Sequence, residues 1–207
     1  MISLPASTLL APDAEAQRGP RGGGGRGGGQ GRGGGQGRGG GRGGPGDEES
    51  IERALLAAPA RSREGTGVIK WNADYTYETL KEGTNPLVCW DRSGDPGERA
   101  FALHCTSIAN LPREAQNRRF AAESANSDEL QARHRAAETD GTRMQPEFGS
   151  VNISLNGDDQ ASAAKHSTIA VPGATTESLG LPENGSQGGA WIMQAGSSYA
   201  HIMSPGN

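Results

Sequence analysis

The spacing of apolar residues changes several times along the chain, and each change marks an element. After Asp47-Glu48-Glu49-Ser50, the residues Ile51, Leu55 and Ala58 recur at helical spacing. Acidic residues fill the first turn, where the helix dipole favours them, and Pro59 stops the run. The period then shortens. GVIKW (67–71) reads as a strand, Tyr75, Tyr77 and Thr79 alternate toward Leu80, and LVCW (87–90) follows the turn Gly83-Thr84-Asn85-Pro86. FALHC (101–105) is again apolar and strand-like.

Between Pro112 and Glu138 the pattern is polar with scattered Ala, Phe120 and Leu130. Asn126-Ser127-Asp128-Glu129 is an interruption and restart signal, so two helices are expected, about 112–123 and 127–138. Their many charges read as a solvated face. Val151, Ile153 and Leu155 alternate, predicting a strand over 149–155 closed by a tight turn at Asn156-Gly157. Residues 158–164 read as a loop, His166–Val171 as a strand, and Thr175–Leu181 as a single helical turn. AWIMQAG leads to a last strand at AHIM (200–203). Strands outnumber helices and come in neighbouring pairs. The expected class is therefore α+β, with mainly antiparallel strands and two or three helices.

Composition divides the chain. Residues 18–44 hold 18 Gly and six Arg in 27 positions, and nothing there can build a core. The expected organisation is an N-terminal segment over 1–17, a disordered Gly/Arg-rich linker over 18–46 and one domain over 47–207. The domain carries 22 acidic against 14 basic residues, a net of −8, so the chain's overall −4 joins a basic tether to an acidic body. An acidic body repels phosphate backbones. Aromatic residues make up only 4% of the chain, which predicts a modest core helped by a covalent staple. No apolar run reaches the 18 residues a spanning helix needs.

Cys89 and Cys105 are the only cysteines. They bracket a turn-rich centre, Ser93-Gly94-Asp95-Pro96-Gly97, that folds the chain back and brings them toward bridging distance. A disulfide there would support export. So would Ala14-Glu15-Ala16, which fits a small-x-small cleavage site before Gln17, although no basic residue precedes it. The expected location is secreted or periplasmic.

Catalytic signatures are missing: there is no GxxxxGKS/T phosphate loop, HExxH, GxSxG or CxxC. Asp91, Ser93 and Asp95 match the start of a calcium loop, but Pro96 stands where Gly belongs and Ala102 where Glu belongs. A self-capped polar turn is the better reading. Of the four histidines, His134 reads as solvated and His104 adjoins a cysteine. His166 and His201 lie in two late strands whose pairing would bring the rings toward a metal site, though a zinc site needs three or four ligands. No cofactor is expected. Asn152-Ile153-Ser154 and Asn184-Gly185-Ser186 match the glycosylation pattern at the level chance supplies.

The Gly/Arg tract offers Arg21, Arg26, Arg32, Arg38 and Arg42 for phosphate contact and base stacking. It lacks interleaved aromatics, its six charges are widely spaced, and its domain is acidic. A spacer of roughly 26–31 Å mean reach is the preferred reading, and nucleic acid is not the expected partner.

REGTGVIKW, LKEGTNPLVCWD, HCTSIANLP, HSTIAVPGATTESLGLP and GGAWIMQAGSSYAHIMSPG together resemble blocks of a group of uncharacterised secreted bacterial proteins. That group has an EGTN…C…C block and a WxMxAGTxYAHxM-like ending, and Ser197-Ser198 departs from the ending. The resemblance implies export and one folded unit over most of 51–206, and it implies no catalytic residue. The expected function is an exported binding or envelope-associated domain. The alternatives are a metal-dependent protein using His166 and His201, and an RNA-binding protein acting through the tract.

Overall fold

The computed structural model describes residues 45–205. The fold is a mixed α/β unit built on one eight-stranded, mostly antiparallel sheet with four helices. The strands are β1 (Gly67–Trp71), β2 (Tyr77–Lys81), β3 (Leu87–Asp91), β4 (Phe101–Ser107), β5 (Val151–Gly157), β6 (Ala164–Ala170), β7 (Trp191–Met193) and β8 (His201–Met203). They run in the order β2-β1-β3-β4-β5-β6-β8-β7, and every pairing is antiparallel except β1 with β3. The helices are α1 (Pro45–Ala54), α2 (Leu111–Ala122), α3 (Ser127–Asp140) and the single turn α4 (Thr176–Leu179).

The expected α+β class holds, and the predicted elements appear with shifted ends. α1 begins at Pro45, inside the segment expected to be linker. Pro supplies the helical φ and needs no N–H at a first turn. Asn156-Gly157 is not a turn but the end of β5, opposite Ala164. The chain reverses later, where Asp159 and Ser162 cap each other. The Gly/Arg tract and the candidate cleavage site lie outside the described residues.

Sheet register sorts the side chains into two faces. On one face Val68, Cys89, Cys105 and Ile153 form a lateral row across four strands. They bury with Leu103 and Phe101 beneath Ala54, Ala57 and Ala58, and Ile51, Leu55 and Leu56 pack on the edge. The Cys89–Cys105 disulfide lies in this cluster, with both residues fully buried and directly opposite in register. It is the staple expected from the sequence. The opposite face carries Ile69, Val88 and Trp90 under Leu111, with Trp71 alongside. A third cluster, Val171, Ala174, Ile192 and Ala200, closes the far end.

The EGTN block is a backbone crossing. A Cβ on Gly83 would fall 2.7 Å from the Gly67 nitrogen and 3.2 Å from the Gly65 oxygen. Only Gly lets the 83–85 turn press this close, where Thr84 and Asn85 both donate their N–H to the Gly65 carbonyl. Asn85 then donates to the Ser62 carbonyl and accepts from the Leu87 N–H, which fixes the entry into β3.

Candidate functional site

The second face of the sheet changes character along its width. Over β1 and β3 it is aromatic and covered by α2. Over β5, β6 and β8 it is polar, and a cleft of about 180 Å³ opens between these strands and the first turn of α2. Arg113, Glu114, Asn152, Thr168, Tyr199 and His201 line it.

A relay of hydrogen bonds sets the floor. Asn110, fully buried just before α2, donates to Thr106 Oγ1 at 2.8 Å and to Ser150 Oγ at 2.9 Å. Its own oxygen accepts the Glu147 N–H at 2.7 Å. Thr106 in turn donates its hydroxyl hydrogen bond to Asn152 Oδ1 at 2.9 Å. Because Oδ1 is the acceptor, the Asn152 amide is oriented, and its Nδ2 remains without a partner among the described residues. Thr168 stands directly opposite Asn152 in register, and its hydroxyl also has no protein partner there. Unlike the buried orphan atoms elsewhere, both groups are accessible.

The wall is built around two buried arginines. Arg113 is 7% exposed and Arg143 4% exposed. The Arg113 guanidinium lies 4.5 Å over the Tyr199 ring and donates to the Met144 carbonyl and to Ser198. Arg143 lies 5.0 Å over the same ring, donates to the Tyr199 hydroxyl at 2.7 Å, and also reaches Gln116 and Asn117. Neither arginine meets a carboxylate within ion-pair distance among the described residues. Burial and the neighbouring Arg143 push the Arg113 pKa down to about 10, so it stays cationic at neutral pH. Burial pushes the Glu114 carboxyl up, against the opposing pull of Arg92, an Asn117 hydrogen bond, Arg113 and Arg118.

His201 closes the cleft. Its Nδ1 lies 2.7 Å from the Tyr199 carbonyl oxygen, which can only accept, so Nδ1 carries the proton. In the neutral ring Nε2 is then a bare acceptor, and it has no protein partner among the described residues. The cleft therefore offers a fixed cation, an amide donor, a hydroxyl, an imidazole acceptor and the Glu114 carboxyl.

The sequence-derived candidates fall differently. β6 and β8 do pair, and His166 and His201 lie on the same face. However, Ala170 is opposite His201, and His166 stands four residues further along β6, about 13 Å away at strand rise. In register, His166 faces Ser154, not His201. Among the described residues no group of three His, Cys, Asp or Glu side chains is placed to hold a metal. The calcium-like loop is occupied by its own ion pairs: Arg53 meets Asp91 at 2.6 Å, and Asp95 takes Arg118 at 2.5 Å. Arg21, Arg26, Arg32, Arg38 and Arg42 lie outside the described residues.

Two charge readings need correction. Arg113 is not part of a solvated helix face but is drawn inward by the Tyr199 ring and two carbonyls. His134 is not solvated either: its ring packs 5.6 Å from Phe120 and 5.5 Å from Tyr199, and burial, with Arg143 and Arg113 nearby, lowers its pKa to about 4. Sequence reasoning singled out His201 and the Asn152 sequon for other reasons, and missed Arg113, Glu114 and Thr168. The only signal was NLPRE, a helix start that places two opposite charges in a first turn after a buried Asn.

No helix among the described residues is long and apolar enough to cross a membrane. Comparison with protein-family models, characterised proteins and solved structures finds no match.

Proposed function

We propose that this protein is an exported binding domain, and that the cleft between α2 and strands β5, β6 and β8 receives a small polar molecule. One observation carries the reading. A buried guanidinium without a carboxylate partner converges with three side chains whose hydrogen-bonding capacity is unspent. A concave site with a few convergent polar groups is the usual form of a small-ligand pocket. Export is supported by the buried Cys89–Cys105 disulfide, which persists in oxidising compartments. The Gly/Arg tract serves in this reading as a spacer that holds the domain off an envelope surface.

The test has two parts. Cell fractionation of the native producer is expected to place the mature chain outside the cytoplasm with both thiols oxidised. A panel of amino acids, sugars, organic acids and nucleotides, scored first by thermal stabilisation, is expected to yield at least one compound that shifts the backbone amides of Asn152, Thr168 and His201. A cytoplasmic chain overturns export, and a panel that leaves those amides unmoved overturns the binding site.

A further inference from the structure

From the donor and acceptor pattern of the cleft we infer the chemical class of its ligand: a small hydroxycarboxylate, with its carboxylate on Arg113 and Asn152 and its hydroxyl on His201. This rests on the binding reading above.

Each group asks for a complementary partner. Arg113 is cationic, buried, and free of any carboxylate within ion-pair distance among the described residues. Ser198, the Met144 carbonyl and the Tyr199 ring position it, and both terminal nitrogens already donate to Ser198 or Met144, so it meets an anion through its fixed charge. The Asn152 amide cannot flip without breaking the Thr106 bond at its oxygen, and therefore presents N–H and not C=O to the cleft. A guanidinium charge and an amide N–H both favour an anion, and a carboxylate is the small group that meets both.

The other end has the opposite polarity. The Tyr199 carbonyl holds the His201 proton on Nδ1, leaving Nε2 to accept. A group that satisfies it must donate, and a ligand hydroxyl does. Thr168, on the strand between Asn152 and His201, donates or accepts as the ligand requires. An α-amino acid is the competing class, since Glu114 also lines the cleft and presents a carboxyl to an ammonium. A neutral sugar brings the guanidinium no counter-charge. The volume of about 180 Å³ suits a compact acid.

The experiment uses the full chain with its disulfide intact. Lactate, propionate and lactamide are titrated by calorimetry and by amide shifts at Asn152, Thr168 and His201. Lactate is expected to bind at least tenfold more tightly than propionate, which lacks the hydroxyl, and than lactamide, which lacks the charge. Asn152→Asp tests the same point without disturbing the fold. The new Oδ1 still accepts from Thr106, while a carboxylate oxygen replaces the N–H. It is expected to keep the wild-type melting temperature and lose lactate affinity at least tenfold. Equal binding of lactate and lactamide, or unchanged affinity in a folded Asn152→Asp variant, overturns the assignment. If sugars or amino acids shift the cleft amides and no hydroxycarboxylate does, the ligand class fails while the binding reading stands. If nothing shifts them, both fail.

Discussion

His104 lays its ring on Trp90, centroids 4.7 Å apart, in direct register across β4 and β3, and neither of its ring nitrogens finds a hydrogen-bond partner among the described residues. Burial, with Arg92 and Arg118 nearby, lowers its pKa from 6.5 to about 3. The folded protein therefore keeps this ring neutral over a range in which the unfolded chain protonates it.

The sign follows from linkage. Between about pH 6.5 and 3 the unfolded state binds the extra proton, so stability is full above that window and falls as the pH drops through it. Each pH unit costs up to about 1.4 kcal/mol, so the loss by pH 4.5 is on the order of 3 kcal/mol. His134 acts in the same direction, with its pKa lowered to about 4, but it is only partly buried and contributes less. Urea unfolding at pH 7.5 and pH 4.5 measures the loss. His104→Leu is expected to remove most of the difference. An equally steep pH dependence in that variant would show that carboxylates, not this ring, set the acid limit.

The buried cystine makes a second expectation quantitative. Cys89 and Cys105 close a loop of 16 residues, and the loop-entropy estimate gives about 3 kcal/mol. At roughly 2–4 °C per kcal/mol for a domain of this size, the Cys89→Ala, Cys105→Ala double variant should melt roughly 6–12 °C lower. Scanning calorimetry under non-reducing conditions checks this. A melting point unchanged to within roughly 2 °C would mean the core, not the bond, restrains that hairpin.

Gly83 tests the EGTN crossing. An added methyl meets the Gly67 backbone, which is held in the sheet and cannot swing away as a side chain does. Gly83→Ala is expected to cost about 2 kcal/mol, in the range of overpacking. Gly46, in the first turn of α1 with open space around it, is the control. Gly46→Ala should be neutral or slightly stabilising, since the helix gains and nothing clashes. Comparable losses in both variants would contradict the crossing.

What the sequence made legible follows from the range of the forces involved. Local periodicity placed nearly every strand and helix, because GVIKW, LVCW and VNISL alternate or bury as wholes. The cystine was legible because its two residues sit either side of one turn. Three features were not. Parallel pairing of β1 with β3 depends on where β2 returns, which no local pattern encodes. Burial of Arg113 and Arg143 depends on Tyr199, which lies 86 and 56 residues away in sequence, so Arg113 read as part of a solvated face and Arg143 drew no reading. His166 and His201 share a face as their strand membership suggested, but a register offset of four residues separates them, and register is a property of the assembled sheet.

Tyr199 is the position where that long-range chemistry is most open to measurement. Its hydroxyl accepts from Arg143 Nε at 3.1 Å and from Nη2 at 2.7 Å, and its ring lies under both guanidiniums. Tyr199→Phe keeps the ring and removes only the acceptor, leaving a buried cation short of hydrogen bonds, and is expected to cost about 1.5–3 kcal/mol. Tyr199→Leu also loses the ring face and should cost about 1–2 kcal/mol more. Arg143→Met removes the same hydrogen bonds from the other side. Once it is made, Tyr199→Phe should cost less than 1 kcal/mol, so a double-mutant cycle is expected to return about 1 kcal/mol or more of coupling. Additive losses would show that the hydroxyl and the guanidinium stabilise the α2–α3 wall independently.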